Sequence, residues 1–217
     1  ALVAAATNAA STIRDRLSPD AWRVLTELSA LEAWLPATAT EGDAYEHANN
    51  ILRSLAAFSG LAQENMNRLT GWRFLELGRR IERGIATCRF VAIFGGAEMP
   101  TAALDLLLEL ADSQITYRSR YVGGLARLPA IDLVVLDGNN PRAVAFQADR
   151  IAEHLAVLPG RRSDGQLSAA ERTTARLVTR LATAEAGEVD EEFLNEAQAS
   201  LLWLSEEISL RFFTHRG

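Results

Sequence analysis

The sequence has a single cysteine, no excess of basic residues and no apolar run long enough to cross a membrane. The lone Cys88 excludes a disulfide within the chain and fits a reducing cytoplasm. The formal net charge of −6 disfavours nucleic acid or an anionic membrane as the partner. The first residues lack the basic start of a signal peptide, and the chain does not begin with Met. We therefore expect a piece of a longer, cytoplasmic protein.

Sequence motifs of several common chemistries are also missing. The chain contains no glycine-rich phosphate loop and no G-x-S-x-G elbow. Its histidines, His47, His154 and His215, are far apart, and no second ligand follows any of them at helical spacing. We therefore predict neither a metal site nor a cofactor. Cys88 falls on an apolar helical stripe, which favours a buried, inert thiol over a reactive one.

The pattern that is present is helical. The 217 residues are 48% hydrophobic and 23% charged, which is ordinary for a globular protein. Apolar residues recur at spacings of three and four, and no segment is convincingly a strand. We predict an all-α fold, a bundle of eight or nine antiparallel helices forming one domain over residues 1–217.

Capping residues, prolines and glycines set the expected helix boundaries. Ser168 and Glu171 form a capping box, and Asp190 is placed to cap the last helix. The run 131–136 fits a helix or a strand by periodicity, and we take it as a short helix because its neighbours are helical. In chain order, the predicted helices cover residues 3–17, 18–35, 43–69, 70–95, 101–122, 131–136, 141–158 and 168–186, with a last helix from 190.

The helix from Thr70 combines an apolar stripe with charged residues beside it. At about 100° per residue, one stripe contains Phe74, Leu77, Gly78, Ile81, Ile85 and Cys88. Glu82 lies at the edge of this stripe, and Arg79, three residues earlier, can reach it. A carboxylate beside an apolar seam is costly unless it is paired. The pair is either a structural ion pair or part of a polar cluster for a ligand or partner.

Further arginines stand at positions that suit an anion. Arg83 follows on the same helix, Arg118 and Arg120 stand between Tyr117 and Tyr121 on the next, and Arg142 opens a later helix, where the dipole disfavours a cation. Arginine is suited to bidentate contact with a carboxylate or a phosphate. These side chains either pair with acids inside the bundle or line a pocket or interface for an anionic group.

The stretch Gly71–Arg83, with the sequence GWRFLELGRRIER, resembles the second ER motif of the Alpha-E family, a bacterial all-helical domain of unassigned activity. The resemblance continues in order through residues 13–22, 112–121 and 136–147 and reaches Phe212–His215. Alpha-E domains begin with a further helix that carries a first, similar motif, which is absent here. Residues 65–70 also depart from the family's usual Thr-Met-Thr-Arg sequence.

The resemblance implies a setting for the chain, without a reaction. Alpha-E domains are encoded beside, or fused to, circularly permuted ATP-grasp proteins, often with a transglutaminase-like peptidase, which indicates a system that forms peptide or amide bonds. We expect a helical accessory domain that binds the ATP-grasp partner or a peptide-like ligand through Arg79, Glu82, Arg83, Tyr117, Arg118, Arg120, Asn140 and Arg142. Two alternatives remain: an enzyme with Glu82 as general acid or base, and a purely structural scaffold. A homodimer is also open.

Overall fold

The computed structural model describes residues 2–32, 39–159 and 165–214. Within these ranges the chain forms ten α-helices and no strand, which confirms the all-α class; the expected eight or nine helices were slightly too few. None of the helices described combines the length and apolar composition that crossing a membrane requires. The end of the second predicted helix, near residue 35, and His215 lie outside the described residues.

The chain divides into two compact units, residues 1–72 and 73–217. The first unit contains α1 (Leu2–Ser11), a 3₁₀ turn (Arg14–Arg16), α2 (Pro19–Glu32) and α3 (Glu41–Asn65). Helix α2 supplies an apolar face of Ala21, Leu25 and Leu28, all nearly inaccessible to solvent. Thr40 caps α3 in a reciprocal capping box with Asp43, so the helix starts slightly earlier than predicted.

The second unit begins within α4 (Thr70–Phe94). Ser168 and Asp190 cap its last two helices as predicted, because their side-chain oxygens accept the amide hydrogens of Glu171 and Phe193 at 3.2 and 2.8 Å. The later elements are α5 (Thr101–Leu110), α6 (Gln114–Arg120), α7 (Arg127–Ile131), a π-helical segment (Asp132–Leu136), α8 (Val144–Leu155), α9 (Ala169–Thr183), a 3₁₀ turn (Ala186–Glu188) and α10 (Glu191–Phe212).

The single helix predicted over residues 101–122 is two helices, α5 and α6. The chain turns at Asp112, whose φ of +47° lies in the left-handed region, and the amide of Ser113 donates to the carbonyl of Leu108 at 2.8 Å. This hydrogen bond closes the end of α5 in the manner usual for a helix terminus. Asp tolerates this backbone conformation better than most residues do.

The core of the second unit confirms most of the predicted stripe on α4. Leu77, Ile81, Ile85 and Cys88 are buried, whereas Phe74 is half-buried and Gly78 is exposed. Burial raises the pKa of the Cys88 thiol to about 12, which fits the inert thiol expected from the sequence. Helix α10 approaches α4 closely, since a Cβ atom on Gly84 would lie 2.8 Å from a methyl of Leu201.

The run 131–136 is helical, as predicted, but its last turn is wide. The amide of Asp137 donates to the carbonyl of Asp132 at 2.9 Å, five residues earlier, which is the π-helical pattern. Leu133 carries a fully buried side chain, and its carbonyl oxygen accepts a hydrogen bond from the side chain of Asn140 at 2.8 Å. This contact attaches the π-helical segment to the turn that leads into α8.

Candidate anion-binding site

The buried carboxylate on α4 is Glu76. Its side chain is 2% exposed, whereas Glu82 lies on the solvent side of the helix. The expectation that Glu82 is held against the apolar seam was therefore wrong. The predicted stripe has Gly78 on the flank where Glu82 lies. A glycine has no side chain, so it does not indicate whether that flank of the helix is packed. The core lies on the other flank of the stripe, where Glu76 stands.

Glu76 forms ion pairs with two arginines of its own helix. The Nη1 of Arg79 donates to one carboxylate oxygen at 2.8 Å, and the Nη2 of Arg80 donates to the other at 2.7 Å. The guanidinium groups belong to side chains that are only 18% and 15% exposed. We expected Arg79 to pair with Glu82, and the structure pairs it with Glu76. Each carboxylate oxygen of Glu76 accepts from a different guanidinium, so one negative charge is paired with two positive charges.

Arg83 lies one turn further along the same face of α4 and is half-buried. Burial lowers the pKa of its guanidinium, and the positive charges of Arg142, Arg80 and Arg79 lower it further, while Glu76 acts in the opposite direction. The guanidinium stays protonated at neutral pH. Among the described residues, Arg83 forms no ion pair. It is therefore a partly desolvated cation surrounded mainly by other cations.

Arg142 reaches this face of α4 from the turn before α8. Its carbonyl accepts a hydrogen bond from the hydroxyl of Thr87 at 3.1 Å, which fixes the turn against α4. Its Nη2 donates to Asp112 at 2.6 Å, but that carboxylate is 74% exposed, so water screens the pair. No side chain caps α8, which begins just after Ala143. The positive end of the helix dipole adds to the potential here.

We call Arg79, Arg80, Arg83 and Arg142 the arginine cluster. Two carboxylates, Glu76 and the exposed Asp112, pair with its members, so positive charge is in excess. The ring of Phe146 on α8 borders the cluster, with the guanidinium carbon of Arg80 5.6 Å from its centroid. An excess of partly buried guanidinium groups on one face is an arrangement that binds anions.

The remaining predicted site residues lie elsewhere or support the fold. The hydroxyl of Tyr117 donates to the carbonyl of Gly124 at 3.0 Å and accepts the amide hydrogen of Ala126 at 2.9 Å, so it serves the loop after α6. Arg120 pairs with Asp137, which raises the pKa of the guanidinium. Both residues have protein partners.

Arg118 lines a different cleft, together with Asp105, Gln114 and Tyr121. Asn140 is buried and holds the turn before α8, because its amide group contacts Ser113 and Leu133 as donor and Arg142 as acceptor. The structure thus brings Arg79, Arg83 and Arg142 into one cluster. Asn140 supports the turn that carries Arg142, and Glu82 is exposed to solvent outside the cluster.

Glu76, Arg80, Phe146 and Thr87 were not among the predicted site residues. A signal for the first two was present, since residues 76, 79, 80 and 83 have the i, i+3, i+4, i+7 spacing of one helical face. The local sequence does not indicate Thr87 or Phe146, because their contacts with Arg142 and Arg80 join segments that are far apart in the chain.

His154 on α8 provides a pH-dependent test of this region. Burial lowers the pKa of its imidazole, and Arg73 and Arg80 lower it further, against Glu76 and Glu153, which raise it. The unfolded chain then binds a proton at His154 more readily than the folded chain does. We expect this contribution to stability to be complete above the ordinary pKa of 6.5 and to be lost as the pH falls below it.

The measurement is the urea midpoint of the wild type and of His154→Gln between about pH 7.5 and about pH 5. The wild type should lose stability relative to the variant as the solution is acidified. Parallel pH profiles for the two proteins would contradict this account of His154.

Comparison of the sequence with known proteins assigns the chain to a family. A family model described as "a predicted alpha-helical domain with a conserved ER motif" matches residues 1–213, nearly the whole chain. The chain belongs to the Alpha-E family. The Glu-Arg dipeptide of α4 is Glu82-Arg83. Glu82 is exposed to solvent, and Arg83 belongs to the arginine cluster.

Curated relatives of this Alpha-E chain include the uncharacterized protein Rv2567 of Mycobacterium tuberculosis and the uncharacterized protein Mb2597 of Mycobacterium bovis. Each is 32% identical over 202 residues, which cover 89% of this chain and 22% of the relative. The chain therefore spans about a fifth of the length of these relatives. No solved structure matches the chain.

Proposed function

We propose that this Alpha-E chain is a helical binding domain whose arginine cluster holds an anionic group of a partner protein or of a peptide-like ligand. The observation that carries the proposal is the setting of Arg83, a half-buried guanidinium with three arginines and one shared carboxylate around it. Clustering like charges in a partly desolvated place is unfavourable unless a counter-charge arrives. A bound anion would supply that counter-charge.

The partner in this proposal is a circularly permuted ATP-grasp ligase, fused or in trans, in a cytoplasmic system that forms peptide or amide bonds. A transglutaminase-like peptidase is a further candidate partner. Support comes from the family and from the motifs that the chain shares with it. The short share of the relatives' length that the chain covers also fits a domain that works with other parts.

The test is co-purification of the tagged chain with a circularly permuted ATP-grasp protein. We expect capture by the wild type, and at least a strong reduction with Arg83→Gln, because that change removes the guanidinium that forms no ion pair within the described residues. Arg89→Gln is the matched control, since Arg89 is an exposed arginine on the same helix. Failure of the wild type to capture the ligase, together with failure to bind any anionic peptide, would count against the proposal.

The enzyme alternative and the scaffold alternative predict different results for these variants. The enzyme alternative depended on an apolar setting for Glu82, and the exposure of Glu82 takes that support away. The scaffold alternative requires that the arginines only stabilise packing, in which case Arg83→Gln and Arg89→Gln would behave alike in every binding assay. A homodimer stays a prediction, which sedimentation of the purified chain would decide.

A further inference from the structure

We propose that the anion held by the arginine cluster is a dianionic phosphate group, free or as a phosphate monoester, in preference to a carboxylate. The inference rests on the proposed function and names the chemical class of its ligand. Three independent features of the described residues carry it: the charge balance of the cluster, the directions from which its guanidinium groups come, and the start of α8.

The charge balance favours a doubly charged ligand. Within the described residues, three of the four guanidinium groups of the cluster pair with two carboxylates, and one of those, on Asp112, is well exposed to water. A single carboxylate ligand would leave positive charge uncompensated around Arg83. A phosphate monoester carries close to two negative charges at neutral pH and would compensate the excess.

The directions of the donors favour a tetrahedral acceptor. Arg79 and Arg80 contact separate oxygens of the Glu76 carboxylate, so one planar carboxylate is already bound between these two guanidinium groups. Arg83 stands one turn further along α4 than Arg79 and Arg80, and Arg142 belongs to the turn before α8, which contacts α4 at Thr87. A phosphate presents three acceptor oxygens in different directions, and several guanidinium groups can contact it at once.

The start of α8 and the Nε of Arg80 are two further features of the arginine cluster. Helix α8 begins immediately after the turn that carries Arg142, and Ala143 gives it no side-chain cap, so its dipole adds positive potential there. The Nε of Arg80 is buried and donates to no described residue.

The test is titration of the folded chain with inorganic phosphate and, separately, with methyl phosphate at constant ionic strength. The chain contains no lysine, and the arginine Nε–H signals in a proton–nitrogen NMR spectrum report contacts of the guanidinium groups directly. We expect both phosphates to shift the Arg80 and Arg83 signals in a saturable way. Arg83→Gln should weaken the affinity by about tenfold to a hundredfold, since it removes a charge-assisted contact.

Succinate is the comparison ligand because it carries two charges on planar carboxylates. Arg89→Gln, on the exposed side of α4, is the control and should bind phosphate like the wild type. Weaker binding of succinate than of both phosphates supports the inference. Succinate binding equal to or tighter than phosphate, no saturable shift with phosphate, or equal loss in the two variants would overturn it. Arg83-dependent capture of the ligase or of an acidic peptide without phosphate binding would overturn this inference alone and leave the proposed function standing.

Discussion

Glu76→Gln is expected to lower the free energy of unfolding by about 3 kcal/mol. The replacement keeps the size of the side chain but removes the negative charge that pairs with Arg79 and Arg80. Both guanidinium groups are mostly shielded from water, so the solvent can compensate for only part of the loss. Arg83 would then lie among cations with no buried carboxylate beside them. Urea unfolding followed by circular dichroism measures the change.

Glu82→Gln is the matched control for this prediction. It removes the same charge from the same helix, six residues further along, but at an exposed position. We expect its effect to stay within about 0.5 kcal/mol, as is usual for surface changes. Equal effects of the two substitutions would show that the burial of Glu76 contributes nothing to stability, and would also remove the basis for an electrostatically unbalanced cluster.

Asn140→Ala is expected to destabilise the chain by about 3 kcal/mol, because it leaves buried polar groups without partners. The amide nitrogen of Asn140 donates to the carbonyl of Leu133 at 2.8 Å and to the hydroxyl of Ser113 at 3.1 Å. Its carbonyl oxygen accepts from the amide of Arg142 at 3.1 Å. The substitution should therefore weaken the attachment of the π-helical segment and release the turn that positions Arg142.

Asn139→Ala is the control variant, since Asn139 is the exposed neighbour of Asn140. The hydrogen bond that its backbone amide donates to the Asp137 carboxylate does not depend on its side chain. Denaturant unfolding should separate the two variants clearly. Phosphate titration of Asn140→Ala under conditions where it stays folded should also show weaker binding than in Asn139→Ala. A stable Asn140→Ala protein with unchanged phosphate affinity would mean that Asn140 neither supports the fold nor positions Arg142.

Much of the helical arrangement could be predicted because it depends on local interactions. Ser168 and Asp190 cap their helices through side chains that reach only three residues ahead, and proline and glycine positions act within one turn. The break at Asp112 escaped prediction, because propensity alone allows a continuous helix there. Its hydrogen bond from Ser113 to Leu108 and the buried contact to Asn140 compete successfully with helix continuation.

The sequence by itself determined the all-α class, the helix ends at strong caps, the family, and the presence of excess arginine at helical spacing on α4. Only the tertiary structure decided which flank of that helix faces the core, and therefore that Glu76 is buried and Glu82 is exposed. It also decided that Arg142, distant in sequence, joins Arg83 through the contact of its carbonyl with Thr87. Helical periodicity fixes the angles between residues on one helix, whereas the choice of the buried side depends on contacts with segments far along the chain.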